Sequence, residues 1–188
     1  MTSPVVNLTF AHAWQAEILA ARPVILPARH FVYPHDVEEV ERGALEVMVR
    51  PEAPHAPFLA TCALGFRDPI VPTGVWSAPD AREICAVSGG YAYLIDTTAP
   101  ERFTMLPFRP VLLVIPAPAD NLLLFIASRS ILAQGLHGEA WQSPKLSDEG
   151  ITVREIHPGR LSGMGWNMMT DKETPFDLDL QTGQVIKS

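Results

Sequence analysis

Ile84-Cys-Ala-Val-Ser-Gly-Gly-Tyr-Ala-Tyr-Leu-Ile95 is the stretch that decides the fold class. Two apolar arms, Ile84 to Val87 and Tyr91 to Ile95, flank Gly89-Gly90, and glycines accept the positive φ of a tight turn. The arms therefore read as a hairpin. The same grammar extends in both directions. Upstream, Phe58, Ala60, Cys62, Leu64 and Phe66 fall on one face of a period-two pattern, and a Pro/Gly-rich turn from Asp68 to Gly74 leads to Trp76. Downstream, Val111 to Ile115 and Leu122 to Ala127 are continuous apolar runs, as in strands covered on both faces. Ile131 to Leu136, Ile151 to Ile156 and Phe176 to Leu180 complete the series, with turns at Ser128-Arg-Ser130, His157-Pro-Gly159 and Gln181-Thr-Gly-Gln184. Short strands with frequent turn signals predict a mainly β chain of antiparallel sheets, in a blade-like, sandwich or barrel arrangement.

The N-terminal portion, residues 1–35, is less clearly patterned than the β-rich portion, residues 36–188. Val5 to Phe10 alternates like a strand. Ala11-His-Ala-Trp-Gln-Ala-Glu-Ile-Leu-Ala-Ala-Arg22 is rich in helix formers and ends before Pro23, so it predicts one short N-terminal helix. Val37 to Arg50 fits either state, but Gly43 and the alternation of Leu45, Val47 and Val49 favour a strand in its second part. The whole chain is expected to form a single domain, 1–188.

Composition narrows the function. Among 188 residues, 18 prolines imply short elements and disfavour helical bundles. The formal net charge is −7, and no basic cluster longer than two residues occurs. Phosphate backbones and anionic lipids need concentrated positive charge, so neither nucleic acid nor a membrane is an expected partner. The run Val111 to Ala127 is broken at Pro116-Ala-Pro-Ala-Asp-Asn121 into pieces far below the ~20 residues that span a bilayer. MTSPVVNLTFAHAW lacks the basic-then-apolar order of a secretory signal. Cys62 and Cys85 form neither a metal spacing nor a disulfide framework. These features predict a cytoplasmic protein.

Two tryptophans sit in similar surroundings. Gly74-Val-Trp-Ser-Ala-Pro79 and Gly138-Glu-Ala-Trp-Gln-Ser-Pro144 each precede a polar turn, an apolar strand and a Gly turn. Leu122-Leu-Leu-Phe-Ile-Ala-Ser-Arg-Ser-Ile-Leu-Ala-Gln-Gly-Leu-His-Gly-Glu-Ala-Trp141 resembles a blade of the quinoprotein-type β-propellers, in which a strand pair ends in a Gly turn and a docking tryptophan. Phe176-Asp-Leu-Asp-Leu-Gln-Thr-Gly183 is similar to the Asp-Leu-x-Thr-Gly turn of the same repeats. The resemblance implies blade-like sheets over roughly a third of the chain; no cofactor is carried over from it, and none is expected. At about 40 residues per blade, 188 residues hold fewer than the usual six to eight blades or so. In this reading Trp141 covers a turn, as a structural repeat mark.

Each candidate for chemistry has a plainer structural reading. His30, His35, Asp36, Glu38 and Glu39 are the densest set of potential metal ligands, yet they lack a fixed ligand spacing and read as a solvated loop, so no metal is expected. Asp177 and Asp179 share one strand face about 7 Å apart, which suits paired acid and base roles or simply a polar face in water. Cys62 shares the apolar face of Phe58 and reads as an inert thiol rather than a nucleophile. Ser88 lacks the first glycine of a nucleophile elbow and reads as part of a turn. The glycines between Gly159 and Gly165 match no phosphate cradle and more simply relieve crowding between strands.

The aromatic set Trp14, Trp76, Tyr91, Tyr93, Trp141 and Trp166 could line a recognition surface, or belong to core and turns. Trp166 stands out, because Gly163-Met-Gly-Trp-Asn-Met-Met169 surrounds it with adaptable methionines. Trp166, Met168, Tyr91 and Tyr93 are the expected binding residues; no catalytic residue is identifiable. The first functional expectation is a non-catalytic cytoplasmic binding or scaffold module, its partner a protein or small molecule. A second is a small hydrolase-like enzyme in which several of His12, His30, His35, His137, His157, Asp177 and Asp179 converge. A third is self-assembly into a homo-oligomer through apolar edge strands.

Overall fold

The computed structural model describes residues 4–35 and 41–186. The fold is mainly β, with mostly antiparallel sheets. It divides into two compact units, residues 1–111 and 112–188.

The first unit contains β1 (Val5–Asn7), β2 (Trp14–Leu19), β3 (His30–Tyr33), β4 (Ala44–Pro51), β5 (Phe58–Ala63), β6 (Gly74–Ser77), β7 (Glu83–Ser88), β8 (Tyr91–Asp96) and β9 (Phe103–Met105). They form one sheet of order β2-β4-β5-β3 and another of order β1-β6-β7-β8-β9. The opening hairpin is β7–β8, with Gly89 at φ 55° and Gly90 at φ 75° in its turn. Two successive positive φ values match the twist of the flanking strands. Trp14, Val47, Phe58, Ala60 and Cys62 from the first sheet pack in one core with Val75, Ile84, Ala86, Tyr93 and Ile95 from the second. Polar ties cross this core. Trp14 Nε1 donates to the Glu83 carbonyl at 3.1 Å, and Tyr93 Oη to that of Ala63 at 2.9 Å.

The expected N-terminal helix is a strand. Ala11 to Arg22 contains β2, in which Trp14, Ala16 and Ile18 face the core while Gln15 and Glu17 are exposed. Helix propensity distinguishes these residues by a few tenths of a kcal/mol each. Burying one large apolar side chain contributes roughly 1.5–3 kcal/mol, so packing overrides propensity. A second difference concerns the Phe58 face, whose strand ends at Ala63. Gly65 and Phe66 instead donate their backbone N–H groups to the carbonyls of Ser88 and Gly89 at the hairpin turn.

The second unit contains β10 (Leu113–Ala117), β11 (Leu122–Ile126), β12 (Ile131–Gly135), β13 (Gly138–Gln142), β14 (Ile151–His157), β15 (Arg160–Asn167) and β16 (Lys172–Asp179). They form two antiparallel meanders, β10-β11-β12-β13 and β14-β15-β16. Leu124, Ile126, Ile131 and Ala133 share a core with Leu161, Phe176, Leu178 and Leu180. Every residue of β11 is buried, as its continuous apolar run predicts; β10 is an edge strand with Leu113 45% exposed. Among the described residues no sheet closes into a barrel, and no helix is long and apolar enough to cross a membrane.

Candidate functional site

The expected binding residues divide between the units. Tyr93 is fully buried and spends its hydroxyl on Ala63. Tyr91 is half-buried, edge-on to Phe66 and covered by the Arg109 guanidinium 5.0 Å from its ring centre. Both stand on β8 of the first unit. Trp166 and Met168 belong to the second unit, where β15 ends in the turn towards β16.

That turn is held firmly. Trp166 donates its backbone N–H to Ser147 Oγ at 2.9 Å, and its carbonyl accepts the Asp148 N–H at 2.8 Å. Asp148 also accepts the Met168 N–H at 2.8 Å, while Lys145 pairs with the other carboxylate oxygen. The Lys145 contact, then the Met168 bond, hold the Asp148 carboxyl below the usual range. The Asn167 carboxamide accepts the N–H groups of Met169 and Thr170. On this frame Trp166 is half-buried, whereas Met168 is 67% and Met169 92% exposed.

Most of the other candidates have separate partners. His30 hydrogen-bonds Thr61, and His35 stacks edge-on to Phe103. Asp36, Glu38 and Glu39 lie outside the described residues. Among the described residues no three His, Cys, Asp or Glu side chains are gathered as for a metal. His12 contacts the Phe10 carbonyl and the Trp14 ring, and exposed His157 faces Glu155. Asp177 is engaged by Arg160 and Ser162, whose hydrogen bonds hold its carboxyl below the usual range. Asp179 instead caps its turn by accepting the N–H groups of Gln181 and Thr182. Burial pushes the Cys62 and Cys85 thiols far above the ordinary range, so neither is an activated thiolate. Ser88 Oγ is buried and has no hydrogen-bond partner among the described residues. Gly163 and Gly165 relieve crowding, since a Cβ at Gly163 would lie 2.6 Å from the Phe176 ring and one at Gly165 2.1 Å from the Leu146 carbonyl oxygen; Gly159 faces open space and instead supplies a turn at φ 78°.

One polar cluster has no signature in the sequence. β2 and β3 run parallel at opposite edges of their sheet, so residues 20–29 must cross one of its faces. Arg22 identifies that face, because its Nε donates to Glu46 Oε1 at 2.8 Å. Thr61 Oγ1 donates to Glu46 Oε2, and His30 Nε2 meets Thr61 Oγ1 at 2.8 Å. With His30 as the N–H donor, the chain runs in one direction from imidazole to hydroxyl to carboxylate. Burial, then the Arg22 charge, hold His30 below its ordinary pKa, which favours the neutral donor near pH 7. The Glu46 side chain is 7% exposed and that of Arg22 40%, so the acid forms the floor and the base the rim. Beside them opens a shallow cleft of ≈ 310 Å³, lined by Leu19, Ala20, Ala21, Gly43 and Ala44.

No protein-family model and no curated protein matches the chain.

Proposed function

We propose that the chain is a non-catalytic binding module whose partner is a protein offering an apolar surface, and that its contact site is the β15–β16 turn. The carrying observation is the pair Met168 and Met169, exposed at 67% and 92% on a backbone fixed by Asp148 and Asn167. Unbranched thioether side chains adapt to irregular apolar surfaces. A fixed backbone lowers the ordering cost of association. Trp166 beside them supplies the kind of aromatic anchor that dominates contact energies. A cytoplasmic setting is supported by two buried cysteines that remain free thiols.

A blade-like arrangement is supported by the way the two propeller-like segments meet. Trp141 donates Nε1 to the Leu180 carbonyl at 2.8 Å, and its ring lies over Gly183 in the Asp-Leu-Gln-Thr-Gly turn.

The test is comparative capture at native expression by the natural chain and by a Met168→Ser/Met169→Ser double variant. Exposed substitutions should change stability by no more than about 0.5 kcal/mol each. The account expects a partner retained by the natural chain and lost by the variant at unchanged melting temperature. Equal capture by both, or none by either, would overturn it.

A further inference from the structure

We propose that the cleft over Glu46 binds a small apolar α-amino acid, its ammonium on the Glu46 carboxylate and its carboxylate on the outer edge of Arg22. Position 46 should favour an apolar residue. It faces the covered side of the sheet, with Leu19 opposite it on β2 and buried Leu59 and Ala63 flanking Thr61 on β5. Burying a carboxylate costs free energy that its partners must offset, whereas an apolar side chain here would carry no such cost. A carboxylate kept here at that cost points to a task beyond folding.

The hydrogen bonds leave the pair open to a ligand. Only Nε of Arg22 is engaged, so among the described residues its two terminal nitrogens have no hydrogen-bond partner. They form the forked edge that grips a carboxylate through two bonds. Glu46 accepts one bond on each oxygen and retains lone pairs on both. Thr61 holds the second Glu46 oxygen and is itself held by His30.

The charges match a zwitterion better than either half of one. Arg22 and Glu46 together are neutral, so a singly charged ligand satisfies one member and leaves its own charge uncompensated by the other. A zwitterion lies head to tail against the pair and satisfies both. The walls set the side chain. Ala20, Ala21, Gly43 and Ala44 are small enough to leave the space open, and the only side chains they and Leu19 offer beside the Arg22–Glu46 pair are aliphatic. A volume near 310 Å³ is at the small end for ligand sites, which fits a short aliphatic side chain.

Three probes with one hydrocarbon skeleton test this: L-valine, isovalerate (the same molecule without its ammonium) and isobutylamine (without its carboxylate). Each is titrated into the whole chain, with melting temperature and the Met48 methyl resonance as readouts. Met48 lies two residues from Glu46 on the same face of β4. L-valine should give a saturable shift by about 10 mM, ten times the Kd of a millimolar site. The other two should bind at least about tenfold more weakly, a difference of ~1.4 kcal/mol. Glu46→Gln should remove the L-valine response, and should it fail to fold, Arg22→Gln on the partly exposed rim should do the same. No saturation with L-valine, equal binding of all three probes, or an undiminished response in Arg22→Gln would overturn the proposal. The Met168→Ser/Met169→Ser variant should bind L-valine normally, so failure here is distinct from failure of the β15–β16 contact.

Discussion

Trp141 shows what one residue contributes and how far its role could be read from the chain. Its neighbours mark it as a turn-covering residue, and the ring does cover a turn, that of Asp179 to Gly183. The turn demands glycine, because Gly183 has φ 69° and a Cβ there would fall 2.5 Å from the indole. Trp141→Phe should retain most of the packing but leave the buried Leu180 carbonyl without its donor. That costs about 1–3 kcal/mol, read as a lower denaturation midpoint with an unchanged slope. A loss below about 0.5 kcal/mol would mean that the Nε1 bond contributes little. Tyr93 was less legible. Its type suits a recognition surface as well as a core, and only the non-local bond to Ala63 assigns it to the core.

At the scale of elements, most strands were legible because alternation and turn residues are local signals. β2 was not. Its residues carry two signals at once, helix formers by type and alternation by position, and the second wins only when Trp14, Ala16 and Ile18 have a sheet to pack against. Adjacent substitutions test this assignment. Ala16→Asp places a charge at the core face and should cost on the order of 1–3 kcal/mol, whereas Gln15→Asp on the exposed face should stay within about 0.5 kcal/mol. Urea midpoints separate the two outcomes. Similar losses for both would contradict the strand. The parallel pairings β1–β6 and β3–β5 were beyond local reading, since each joins segments far apart in the chain.

At the scale of the molecule, the same distinction separates the two candidate sites. Trp166, Met168 and Met169 lie in one short segment, so their apolar character was visible in the sequence, although the Asp148 and Asn167 bonds that fix the turn were not. Arg22, His30, Glu46 and Thr61 come from four separated positions and meet only after β2, β3, β4 and β5 pair. No linear spacing could announce them. The methionines report on both places, and their methyl resonances offer the most direct test of the binding reading. With methyl-labelled methionine and the partner captured by the natural chain, the Met168 and Met169 signals should shift or broaden while Met48 and Met105 in the first unit remain unchanged. Changes at Met48 or Met105 with Met168 and Met169 undisturbed would contradict the account.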